Sequence, residues 1–107
     1  MDKRELRERY RQREVVGGVY AIKNTVLDKW FVDSTPNIGA ARNRFSFFGD
    51  ANLKIKADFT AQNGQGFDFV VLEELTKGET QTDAEFKADL AVLKDMWLGK
   101  LEGQEIY

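Results

Sequence analysis

Gly17-Gly18-Val19-Tyr20-Ala21-Ile22-Lys23-Asn24 and Lys29-Trp30-Phe31-Val32-Asp33-Ser34-Thr35 are the two stretches whose reading decides how this chain folds. Both are rich in β-branched and aromatic residues, and only residues 25–28 separate them. That pattern predicts antiparallel strands over 16–23 and 29–34, joined as a hairpin. Thr35 and Pro36 suit an N-cap and a first helical position, where proline's missing N–H costs nothing. Ile38, Ala41, Phe45 and Phe48 then recur at helical spacing, and Gly49-Asp50 breaks the helix. A second helix is predicted over 51–63, with Leu53, Ile55 and Phe59 as apolar contacts and Gly64 as its stop. Residues 67–73 read as a third strand and 78–81 as a loop. Thr82-x-x-Glu85 is a capping-box signal, followed by Phe86, Leu90, Leu93, Trp97 and Leu101 on one helical face.

Working outward, residues 1–14 read as a helical extension, with Leu6 and Tyr10 as its main apolar anchors. The expected architecture is α+β, a small three-stranded antiparallel sheet flanked by helices, in a single domain over residues 1–107. Burial is expected at Ile22, Val32, Phe45, Phe69, Leu90, Leu93 and Trp97. Trp30, Phe31, Phe45, Phe47, Phe48 and Trp97 read as core rather than as a base-stacking platform.

Composition narrows the chemistry. The 107 residues are 42% hydrophobic and 32% charged, as in an ordinary globular domain. With no Cys and no His, thiolate nucleophiles, imidazole bases and Cys or His metal ligands are all excluded. No apolar run has membrane-spanning length and no signal peptide is evident, so a cytoplasmic location without membrane association is expected. The net charge of −2 argues against strong phosphate-backbone binding, but the charge is uneven. Lys3, Arg4, Arg7, Arg9, Arg11 and Arg13 crowd the first 13 residues, whereas 68–95 carries eight acids against three lysines. Glu5 and Arg9 lie four apart, which suits a solvated helix; a phosphate-contacting arm is the alternative. Glu73, Glu74, Glu79 and Asp83 lack regular ligand spacing and read as solvated surface.

Gly-Val-Tyr-x-Ile-x-Asn followed by Lys-x-Phe-Val-x-Ser-Thr-x-Asn-Ile resembles the opening of the GIY-YIG nuclease domain. The order strand–strand–helix–helix–strand–helix over about 17–101 and the closing Met96-Trp97-Leu98-x-Lys100-Leu101 are also similar to that family. The resemblance implies a phosphodiester-cleaving site: a first-motif tyrosine, a second motif ending in glycine, an arginine and often a histidine on the next helix, and a metal-binding glutamate on the last. There water is deprotonated, phosphate charge is neutralised and one divalent cation stabilises the leaving oxygen.

Carried over position by position, only Tyr20 is intact. The second-motif phenol falls on Phe31 and the glycine on Asp33. The arginine falls on Ala41, the histidine on Phe45 and the metal ligand on Lys94, whose ammonium cannot hold a cation. One-residue slips on both helices would bring Arg42 and Asp95 into play, but Ala41 and Phe45 belong to the apolar stripe. The resemblance therefore implies a domain whose cleavage site is degenerate, with no cofactor, or Mg²⁺ only if it is active. The expected function is nucleic-acid binding, weak, or regulation. The candidate contacts are Arg42, Arg44, Lys23, Arg11 and Arg13. The alternatives are an active metal-dependent endonuclease with an unusual site, and a protein-interaction module with a protein partner.

Overall fold

The computed structural model describes residues 15–48 and 53–107. The predicted N-terminal helix and the Gly49-Asp50 break lie outside the described residues, as do Arg11 and Arg13. Strands β1 (Val16–Asn24) and β2 (Lys29–Thr35) are followed by helices α1 (Ile38–Phe48) and α2 (Leu53–Ala61). Strand β3 (Phe67–Thr76), helix α3 (Asp83–Lys100) and the short β4 (Glu105–Ile106) complete the chain. The sheet order is β3-β1-β2-β4. The first three strands pair antiparallel, as expected. The expectation of a three-stranded, wholly antiparallel sheet is corrected by β4, which runs parallel to β2 opposite Lys29 and Trp30 and makes the sheet mixed. Two residues carry no periodicity, so nothing in the local pattern marks this strand.

β1 lies between two strands and under helices on both faces, which is why it lacks a polar alternation. Its even residues Tyr20 and Ile22 pack with Ile38 and Ala41 of α1 and Ile55 of α2. Its odd residues Val19 and Ala21 pack with Val32 and, on α3, Leu93, Trp97 and Leu98. Ile22, Val32 and Leu90 are buried as expected. Phe45, Phe69, Leu93 and Trp97 are only half-buried, because a sheet this small cannot cover wide side chains on its margins.

Helix starts follow the capping chemistry. The box on α3 is present: Glu85 N–H donates to Thr82 Oγ1 (3.1 Å) and Thr82 N–H to Glu85 Oε1 (3.2 Å). At α1 the cap falls two residues later than Thr35. Asn37 Oδ1 accepts from Ala40 N–H (3.0 Å), while Thr35 Oγ1 accepts from Asn37 N–H (3.1 Å).

A polar knot ties the hairpin turn to α2 and to β4. Asn24 is fully buried, and its Oδ1 accepts from the N–H groups of Val26 (3.1 Å) and Leu27 (3.2 Å). Its Nδ2 donates to Gln62 Oε1 (2.6 Å) and to the Tyr107 hydroxyl oxygen (2.9 Å). The Tyr107 hydroxyl in turn donates to Asp58 Oδ2. Burial, and after it the hydrogen bond to Asp58, raises the Tyr107 phenol above its ordinary range.

At the other end of β1, backbone approaches are too close for side chains. A Cβ on Gly18 would stand 2.1 Å from the Glu73 carbonyl oxygen, and one on Gly17 2.4 Å from that of Thr35. Between Val19 and Tyr20 the β1–β3 register shifts, leaving Leu72 as the extra residue of a bulge. Leu72 packs on the α3 side, and the next residue, Glu73, accepts from Trp97 Nε1–H at 3.0 Å on that side too.

Gly18→Ala is expected to destabilise the fold by about 1–3 kcal/mol, the range for forced overpacking, with Gly17→Ala similar. Urea unfolding measures this; a loss under about 0.5 kcal/mol would contradict the close approach. Tyr107 supplies a pH test. A phenol whose folded pKa is raised contributes stability below its unfolded value near 10, lost as pH rises through the folded value. The stability difference between the native chain and Tyr107→Phe should therefore hold up to about pH 10 and shrink above it.

Candidate functional site

Tyr20, Phe31, Ala41 and Phe45 meet in one place, and it is apolar. Tyr20 and Ala41 are buried members of the cluster that the even face of β1 forms, with Phe31, Phe45 and Phe69 packed against it. The Tyr20 ring stacks on Phe69 (centroids 5.1 Å, 17° between planes) and meets Phe31 edge-on at 6.5 Å. Phe45 meets Phe69 at a tilt of 37°, centroids 5.7 Å apart. Tyr20 is 3% exposed and Ala41 4%, so these positions present almost no surface to a ligand. Aromatic pairs of this kind add about 0.5–1.5 kcal/mol each beyond their buried area, which makes the group a packing unit.

Lys94 stands apart, on α3, and it has a partner. Its Nζ lies 3.4 Å from Asp33 Oδ1, which also accepts from Ser34 N–H at 2.8 Å. By strand alternation Asp33 belongs to the Phe31 face. β4 covers β2 only at Lys29 and Trp30, so at Asp33 the outer margin of β2 is open for its carboxylate to reach α3. The pair is half-exposed and worth about 0.2–1 kcal/mol, so it orients the two side chains more than it stabilises the fold.

The divalent cation that a nuclease site would need does not fit this donor set. An ammonium stands at position 94, and Phe31, Ala41 and Phe45 offer no oxygen or nitrogen donor. Among the described residues no group of three or more Asp or Glu side chains gathers at metal-binding distance. Asp95 and Arg42, the residues that a one-residue slip on both helices would bring into play, are both exposed.

The basic candidates do not converge. Arg42 is exposed on α1, its guanidinium 5.5 Å above the Phe69 ring. It lines a cavity of about 430 Å³ with Val16, Asn37, Ile38 and Glu74. An anion entering there would meet the Glu74 carboxylate as well as the guanidinium. Arg44 is exposed on the same helix two residues on, roughly 200° around its axis. Lys23 lies on the opposite face of the sheet, 4.9 Å above the Trp30 ring and 3.7 Å from Asp28 Oδ1.

The polar knot of Asn24, Asp58, Gln62 and Tyr107 has only a faint sequence signal. Asn24 ends an apolar run just before a turn, where Asx side chains bond the following N–H groups. Its partners Gln62 and Tyr107, 38 and 83 residues away, leave no local trace.

No family model, curated protein or solved structure matches this chain. Among the described residues no helix is long and apolar enough to cross a membrane.

The packing role of position 41 is directly testable. Ala41→Arg is expected to cost more than about 3 kcal/mol, because it forces a guanidinium into a buried apolar cluster. Arg42→Ala, one residue along on the exposed face, should cost less than about 1 kcal/mol. Equal losses in thermal or urea unfolding would contradict the assigned faces.

Proposed function

We propose that this chain is a divergent GIY-YIG-like domain that does not cleave nucleic acid and acts as a binding module, with nucleic acid as its ligand. One observation carries the loss of cleavage. The positions that the resemblance assigns to a phenol, an arginine and a histidine are packed in the Tyr20–Phe69 cluster, and position 94 holds an ammonium paired with Asp33. A nuclease needs a cation and a phosphate clamp at the scissile bond, and this donor set supplies neither. The element order from β1 to α3 supports the family reading, since it is the order that the resemblance implies. Nucleic acid as ligand rests on the resemblance, on the exposed Arg42 and Arg44, and on the basic residues of 1–13. A cytoplasmic location goes with this role.

A protein partner is the second reading, and the ion pairs favour it. Lys23, Lys29, Lys77 and Lys94 each lie within 4 Å of a carboxylate, so much of the described basic surface is already neutralised.

Two measurements test these readings. Purified full-length protein with Mg²⁺ or Mn²⁺ is expected to leave duplex and single-stranded DNA uncut. Metal-dependent nicking that Tyr20→Phe abolishes would restore the nuclease. A labelled oligonucleotide should bind weakly at physiological salt, with affinity falling steeply as salt rises and lost in Arg42→Glu/Arg44→Glu. Absence of binding at every salt concentration would reject nucleic acid in favour of a protein partner.

A further inference from the structure

Leu101, just after α3, packs on the Val19–Ala21–Val32 cluster, and beyond it the contacts to the hairpin and α2 are made by residues 105–107. Glu105 and Ile106 lie opposite Lys29 and Trp30, and both are exposed. The Tyr107 N–H donates to the Trp30 carbonyl at 2.8 Å. Its ring lies 4.8 Å under the Lys29 ammonium, which also sits 3.9 Å from Glu105 Oε1. Its hydroxyl fills the seat made by Asn24 and Asp58. Every one of these contacts is with the hairpin or α2, none with α3, from which the segment springs. The join is short. Leu101 and Gln104 bond each other across a tight turn, and Gly103 has a left-handed φ of +94° with open space where a Cβ would stand.

A segment docked on a sheet margin by its own sequence, through a turn that one glycine closes, can dock equally on another copy. We propose that residues 103–107 are exchangeable between two copies of this chain. The β4 segment and Tyr107 of each then seat against β2, Asn24 and Asp58 of the other, forming a reciprocal dimer. Every docking contact broken in the closed form is remade in the dimer, so the cost is that of association and not of lost interactions. Residues 102–107 extended span roughly 20 Å, enough to reach a neighbouring molecule. The partner is identical, so charge match is automatic: Glu105 of one copy meets Lys29 of the other.

A charge-swapped mixture of full-length proteins tests the exchange. Lys29→Glu alone sets two carboxylates against each other at the seat, and Glu105→Lys alone sets two ammonium groups. Exchanged between the two variants, both seats regain opposite charges. The 1:1 mixture at low salt should therefore dimerise about tenfold more strongly than either variant alone, read by sedimentation or light scattering. Gly103→Ala should raise the native homodimer constant at least tenfold, because alanine is strained in the left-handed backbone of the closed form. Tyr107→Ala in that background should return it to monomer. Should Gly103→Ala fail to fold, the charge mixture decides by itself. A mixture no more dimeric than its components would overturn the exchange, and so would a Gly103→Ala dimer unaffected by Tyr107→Ala.

Discussion

Burial of β1 on both faces is the constraint on which the rest of this structure depends. Val19, Tyr20, Ala21 and Ile22 are each 3% exposed or less, and they belong to the longest unbroken buried run among the described residues, 17–22. Each large side chain so buried contributes about 1.5–3 kcal/mol, several times the worth of a half-exposed ion pair. The strand must therefore be apolar at consecutive positions. It must also enter the sheet through Gly17 and Gly18, where neighbouring carbonyls leave no room for a Cβ. Helix α3 covers the odd side chains, while α1 and α2 cover the even ones. The tyrosine of the Gly-Val-Tyr motif is thus a core residue by position, before any chemistry is assigned to it.

That position fixes what the neighbouring residues can do. A tyrosine serving as a base in a cleft needs a path for substrate. Here its ring is sandwiched with Phe69 and capped by Phe31, and the helix facing it contributes Ile38, Ala41 and Phe45. An arginine at 41 would have to desolvate its guanidinium among these rings, a cost that the aromatic contacts could not offset. The apolar stripe on α1 and a phosphate clamp on the same face are mutually exclusive, and this chain has the stripe.

How much of this was legible in the sequence depends on range. The hairpin, the three helices and the capping box of α3 all follow from periodicity and cap chemistry within a few residues, and the structure has them. The start of α1 was misjudged because Thr35 and Asn37 are both good caps. Only the geometry shows Asn37 bonding Ala40 while Thr35 shapes the turn before it. β4 was not legible, since two residues have no period and their partner strand lies about 75 residues earlier. The Asn24–Tyr107–Asp58 knot escaped for the same reason. The grouping of Tyr20, Phe31, Ala41 and Phe45 is one that the family resemblance implies, and the pairing of Asp33 with Lys94 is not. Strand alternation alone would have sent their side chains to opposite faces of the sheet.

The Asp33–Lys94 pair shows why the polar remainder resists conversion into a metal centre. Asp33 Oδ1 already accepts from the Ser34 backbone N–H and faces the Lys94 ammonium. A divalent cation there would have to displace a cation that is covalently part of the fold. It would then gain one carboxylate from β2 and nothing from Phe31, Ala41 or Phe45. Removing Lys94 alone would free that carboxylate without supplying further donors. Hard cations such as Mg²⁺ bind through several oxygen donors around the ion, so a single carboxylate on an open strand margin holds them poorly. The lysine is therefore not a blockade over a latent site. It is a half-exposed counter-charge that orients the Asp33 carboxylate, at a position where a nuclease of the resembled family carries glycine.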